Sequence, residues 1–178
     1  MKFGQHGFTP DDIDLHLLQL LQEDCRTSLA RLGKEVGLSA PTVLERIKKL
    51  DAAGVITGYH ATLDARRVGL DITAFIGVVI SDPGALGSVE DELAALDGVL
   101  ECHHVTGDYT LLLKVKTENT SSLERLIGQI HSGGVSRTET MVVLSTHTER
   151  AQVGLHPSEA VGQTPHKQAR RAVGAGSA

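Results

Sequence analysis

Residues 24–59 read DCRTSLARLGKEVGLSAPTVLERIKKLDAAGVITGY, two short helical patterns joined by Gly37-Leu38-Ser39. Leu29, Leu32 and Val36 recur at helical spacing on the first pattern, and Val43, Ile47 and Leu50 on the second. Gly37 suits the left-handed conformation that ends a helix, and Ser39 is a good N-cap for the next. Pro41 falls in the first turn, where its missing N–H costs nothing. With Val43, Ile47 and Leu50 turned inward, Thr42, Glu45, Arg46 and Lys49 form the outward stripe. Two cations and two hydrogen-bonding groups at that spacing suit base edges and phosphates in a DNA major groove, where a helix-turn-helix lays its second helix. A charge stripe alone is more often a solvated helix face, so the surrounding motif has to carry the reading.

The flanks complete it. Gly54 supplies a helix stop, and Val55 to Tyr59 followed by His60 to Leu63 read as a short hairpin. A two-stranded ribbon behind a helix-turn-helix makes it a winged helix-turn-helix. Upstream, Ile13, Leu17, Leu18 and Leu21 mark a first helix, with Thr9 expected as its cap and Asp12 at the capping-box position. Residues 1–63 thus form one small domain, near the lower size limit for an independent core. Residues 1–8 are expected to be disordered, and 64–70 to be a linker.

Charge distribution supports the same division. The net charge of −5 is unevenly spread. Residues 1–69 hold nine Lys/Arg and nine Asp/Glu, residues 70–150 five against twelve, and residues 151–178 three against one. Within the first segment the acids come early, while Arg46, Lys48, Lys49, Arg66 and Arg67 come late. Basic charge therefore collects on the second helix of the motif and just after the ribbon, as phosphate contact requires. The chain carries no run apolar enough to span a bilayer and no signal-peptide pattern, and its two cysteines, Cys25 and Cys102, suggest no disulfide framework. A cytoplasmic setting is expected.

Residues 71–150 follow a different rhythm. Ile72 to Ile80 reads as a buried strand, and Leu86, Val89, Leu93 and Leu96 as a helix stopped by Gly98. Val99 to Thr106 and Tyr109 to Thr117 read as strands around a tight Gly107-Asp108 turn. Leu123, Leu126, Ile127 and Ile130 mark a helix capped by one of Thr120, Ser121 or Ser122 and stopped at Gly133-Gly134, and Val135 to His147 a last strand. The order is βαββαβ, a ferredoxin-like arrangement, so the whole chain is α+β. Leu111 and Leu113 share one strand face and Leu112 lies on the other, so the face away from the helices also carries apolar side chains. A second copy is the simplest cover, which predicts a homo-oligomer. Residues 151–178 lack apolar periodicity and are expected to be a disordered tail, with Lys167, Arg170 and Arg171 adding non-specific DNA affinity.

The chain resembles the leucine-responsive/asparagine-synthesis (Lrp/AsnC, feast/famine) transcription regulators from about Asp11 to His147. The matching residues are Asp14, Leu17, Leu18, Leu21, Asp24 and Arg26 in the first helix and Leu38-Ser39, Val43, Arg46-Ile47, Leu50 and Gly54 to Tyr59 in the motif. They continue in Val105 to Tyr109, Leu111-Leu112, Gly134-Val135 and Thr138 to Thr140. The resemblance implies double-stranded DNA as partner of the N-terminal domain, and the outward stripe gives Thr42, Glu45, Arg46 and Lys49 as its contacts, with Ser39 capping the helix near a phosphate. It implies a ferredoxin-like domain that dimerises, assembles dimers into octamer-type rings, and often binds an amino acid or related metabolite between dimers. The implied effector residues are Thr106, Gly107, Asp108, Tyr109 and Thr110 of one hairpin, with Thr138, Glu139 and Thr140 from an adjoining subunit. One departure is visible: the family usually has Gly-Asp-Tyr-Asp in this turn, and here Thr110 replaces the second carboxylate, removing one partner for an ammonium group.

Other constellations imply less. Cys102 and His104 share a strand face but supply two of the four ligands that structural zinc wants, so neither a metal nor a cofactor is expected. No catalytic triad or phosphate loop is present, and an enzyme is not expected. Sirohaem decarboxylases resemble this two-domain layout and form one alternative. They would need a helix-turn-helix without its basic stripe and more arginine than Arg125, Arg137 and Arg150. A metabolite-sensing module without DNA binding is the other, and an intact basic stripe argues against it.

Overall fold

The structure, a computed structural model, describes residues 8–131 and 134–155. The expected disorder of the N-terminal stretch and the tail therefore falls largely outside the described residues. The chain divides into two compact units: residues up to Tyr59 together with the segment from Arg150, and residues His60–Glu149.

Among its described residues the first unit holds three helices, α1 (Asp12–Glu23), α2 (Leu29–Val36) and α3 (Ala40–Ala52). Leu17, Leu32, Val43 and Ile47 form its core, with Leu21, Leu29, Leu38 and Ile56 packed around them. The α2–α3 turn follows the sequence reading: Gly37 is left-handed at φ 71°, and Ser39 caps α3. Gly33 permits that turn, since a Cβ there would stand 2.4 Å from the backbone oxygen of Leu38. At α1 the cap is Asp11, not Thr9. Asp11 accepts from the Asp14 N–H and the Asp14 carboxylate accepts from the Asp11 N–H, a reciprocal box whose charges also suit the positive end of the helix dipole.

The expected ribbon is absent as paired strands: residues 55–63 carry no strand and have no sheet partners. Val55 and Ile56 donate to the Leu50 carbonyl and Tyr59 donates to Asp51, so the segment up to Tyr59 folds back on the end of α3. A lone two-stranded hairpin is marginal in water, and here the backbone is drawn toward the helix instead. Within the same unit the chain after Arg150 pairs with α1. The Gln22 amide donates to the Val153 carbonyl at 3.2 Å and accepts from its N–H at 2.8 Å.

The second unit carries a four-stranded antiparallel sheet in the order β2-β3-β1-β4, built from β1 (Ile72–Ile80), β2 (Val99–His104), β3 (Leu111–Thr117) and β4 (Val135–Val142). Helices α4 (Leu86–Ala94) and α5 (Thr120–His131) pack on one face, burying Ala74, Ile76, Val78, Leu111, Leu113 and Val115 against Val89, Leu93, Leu126 and Ile130. Phe75, Leu112 and Met141 lie on the opposite face, as β1 register pairs Phe75 with Met141 and Gly77 with Leu112. Three details depart from the sequence reading. The cap of α5 is Asn119, whose side chain accepts from the Ser122 N–H while Ser122 accepts in return. The β2–β3 connection is a loop over 105–110, closed by the Val105 N–H on the Thr110 carbonyl, rather than a two-residue turn. Strand β4 ends at Val142, after the Thr140 and Met141 pairs with β1.

Candidate nucleic-acid interface and hairpin site

Three core contacts orient α3. Val43, Ile47 and Leu50 are buried, so the helix turns Thr42, Glu45, Lys48 and Lys49 outward, all of them exposed. At its start the Ser39 and Thr42 hydroxyls share a hydrogen bond of 2.8 Å, which fixes two polar groups at the capped first turn. Glu45 and Lys48 form a loose exposed pair at 3.5 Å, and the Lys49 ammonium lies 4.7 Å from the centroid of the Phe8 ring. The sequence stripe omitted Lys48, although its position one turn after Glu45 was a sufficient signal.

Arg46 does not join the outward stripe. It turns back toward α1, where its Nη1 donates to Asp14 Oδ1 at 2.7 Å and Asp11 Oδ2 at 2.8 Å. The Asp14 side chain is only 6% exposed, and a buried carboxylate needs a counter-charge more than the solvent does. The pairing holds the Asp11 carboxyl below the usual aspartate range, first through the Asp14 N–H and then through Arg46, and it raises the guanidinium.

In the second unit, Thr106, Gly107 and Asp108 are exposed at the tip of the β2–β3 loop, and Tyr109 and Thr110 are half-buried at its base. Gly107 has φ 118°, a conformation that keeps the loop backbone open to a ligand. The Tyr109 ring lies against Gly77, and the Glu139 carboxylate beside it raises the phenol, Asp108 adding to the effect. Glu139 therefore meets the hairpin within its own chain. Thr138 and Thr140 do not share that face with Glu139. Glu139 pairs with Gly77 on the open face, so its neighbours point to the helix face, where Thr138 meets the ring of His131. Strand alternation separates what sequence adjacency suggested. Thr110 is engaged too: its hydroxyl accepts from the Ile80 N–H at 3.2 Å, and its own N–H donates to the Val78 carbonyl at 2.8 Å.

Elsewhere on the open face a charge chain runs from His103 through Glu101 to Lys114, and on through Glu149 to Lys116. Lys114 is raised by Glu149 above all, and Glu149 is lowered by Lys114. Cys102 is on the helix face with its thiol pushed up by burial, and His104 reaches Glu90 at 3.7 Å. Among the described residues no three His, Cys, Asp or Glu side chains gather to hold a metal, and no helix is long and apolar enough to cross a membrane.

Comparison with known proteins agrees with both units. Residues 11–51 match the AsnC-type helix-turn-helix domain, and residues 73–153 the Lrp/AsnC ligand binding domain. The chain is 35% identical over 144 residues to the HTH-type transcriptional regulator FL11 of Pyrococcus horikoshii, covering 80% of this chain and 95% of that protein. Its fold superposes on the solved structure of Escherichia coli AsnC with a TM-score of 0.76 at 31% identity, over 82% of this chain and 99% of the other. A feast or famine regulatory protein of Mycobacterium tuberculosis, solved in complex with L-methionine, also gives 0.76 at 30% identity, over 80% and 97%. With both domains matched in order by family models and by relatives aligned over most of their length, the chain belongs to the Lrp/AsnC family of DNA-binding transcriptional regulators.

Proposed function

We propose that this regulator meets operator DNA through Ser39, Thr42, Glu45 and Lys49, and that an amino acid or related metabolite received at the 106–110 hairpin modulates the binding. The observation that carries the first part is the outward face of α3. Its cap hydroxyl and Thr42 are linked at one end, and its Lys49 cation is exposed about two turns further on. For the effector, the backbone around Gly107 suits a carboxylate, and Asp108 with Glu139 suits an ammonium group. The relative that holds L-methionine supports an amino acid as the ligand class. The apolar residues of the open sheet face support a homo-oligomer built from dimers, with an octamer-type assembly as its larger form, and the protein works in the cytoplasm by binding rather than catalysis.

Fluorescence anisotropy with a duplex from the gene's own upstream region, with and without L-methionine, tests the reading. Binding that weakens with salt and shifts with the amino acid is expected. Absence of DNA binding, or a shift of the sirohaem absorbance band on adding the protein, points to the alternative uses of this layout. Light scattering that gives a monomer at micromolar concentration removes the oligomer.

A further inference from the structure

The Arg46 side chain divides four carboxylate oxygens with the α1 capping box. Asp11 gives Oδ1 to the Asp14 N–H and Oδ2 to Arg46, while Asp14 gives Oδ2 to the Asp11 N–H and Oδ1 to Arg46. No oxygen of the pair is spare, and one guanidinium nitrogen joins the first turn of α1 to the middle of α3. To reach a base edge, Arg46 would have to leave the Asp14 carboxylate buried without its cation, which costs more than a bidentate base contact returns. A second contact runs beside the first. Phe8, just ahead of α1, packs its ring on Lys49, so the start of α1 grips α3 at two positions three residues apart.

We propose that Arg46 is a positioning residue that pins the recognition helix to the N-terminal turn of α1 and sets the angle at which Thr42, Glu45 and Lys49 meet DNA, without reading a base itself. The proposal rests on the reading of α3 as the DNA-facing helix. It assigns the two aspartates a part in operator affinity, although like charges near DNA would ordinarily be expected to repel it. Because a single nitrogen bridges both carboxylates, a lysine ammonium has the donors to take its place.

The test uses the full chain and a duplex selected from random DNA by the parent protein, read by anisotropy at several salt concentrations. Circular dichroism first establishes that each variant is folded. Arg46→Ala and Asp14→Asn are each expected to weaken binding by about tenfold or more. The loss should be even across all single-base changes of the duplex, and the salt slope unchanged. The double variant should be no weaker than the worse single one, and Arg46→Lys should recover most of the loss. Should either main variant fail to fold, Asp11→Asn, at an exposed position, is expected to show a smaller loss with the same even pattern. A loss confined to one base pair, a slope reduced by about one unit, or Asp-to-Asn variants that bind like the parent would each overturn the proposal. Failure of the underlying reading looks different: Lys49→Ala and Thr42→Ala would then leave binding untouched.

Discussion

The ring of Tyr109 rests on the bare backbone of Gly77, so close that a Cβ at residue 77 would stand 2.5 Å from ring carbon Cδ1. Glycine at the centre of a strand is ordinarily a loss, and here it gives the hairpin tyrosine its seat beside Glu139. Gly77→Ala should push the ring off the sheet and bring the Tyr109 phenol back toward its ordinary value of about 10. Amino-acid binding should weaken while DNA affinity without ligand stays unchanged. Equal calorimetric affinity in variant and parent would show that the ring has no part in the site.

Gly33 makes the corresponding contact in the first unit. A methyl group there meets the Leu38 carbonyl, a backbone atom that cannot swing aside without reopening the α2–α3 turn. Gly33→Ala should therefore destabilise the unit by about 1–3 kcal/mol despite alanine's better helix propensity, and denaturant unfolding measures it. A stabilised variant would mean that the turn yields easily.

The sequence made the elements legible wherever an apolar period was strong. Among the described residues, the five α-helices and four strands fall where Leu, Ile and Val spacing places them, because burial of those stripes decides local structure. Apart from the expected wing, what failed was decided by polar groups choosing among near-equal partners. Thr9 and Asp11 are both good caps, and the reciprocal bonds between Asp11 and Asp14, with Arg46 bridging both carboxylates, favour Asp11. The same bridge took Arg46 out of the outward stripe. The interior glycine at position 33 is itself a legible signal, since a glycine inside a helical pattern implies a close approach, here to the Leu38 carbonyl.

Lys49 and Glu45 should behave differently on DNA. Lys49→Ala is expected to weaken all duplexes alike and flatten the salt slope by about one unit, as loss of a phosphate contact does. Thr42→Ala and Glu45→Ala should cost about 1–3 kcal/mol unevenly, concentrated at the base pairs they face. Anisotropy against a panel of single-base changes separates the two patterns, and a uniform response to all three would deny α3 a role in sequence reading.

Acid should loosen the first unit through Asp11. Its carboxyl is held below the ordinary value of about 3.9. Its contribution to stability is therefore complete above that value and lost as pH falls through the lowered one. Glu101 and Glu149 are lowered too, so the parent's acid limb has several sources. Asp11→Asn isolates one of them: its thermal melts should start lower near neutrality and fall less steeply between about pH 4 and 2. Parallel curves for variant and parent would contradict the pairing.

The effector prediction turns on Thr110. Its hydroxyl already satisfies the Ile80 N–H, so the residue that replaces the family's usual carboxylate has a structural partner and is not idle. An aspartate at that position has two oxygens, one for the Ile80 N–H and one left for a ligand's ammonium group. In the parent, Asp108 and Glu139 must hold that group without it, and Glu139 also serves the Tyr109 phenol. Weak amino-acid binding is therefore expected of the parent, since an ammonium group taken from water is costly unless fully paired. Thr110→Asp should tighten L-methionine by about tenfold in calorimetry, the worth of one charge-assisted hydrogen bond. Tight binding by the parent, unchanged by the substitution, would mean that the ammonium group is held elsewhere.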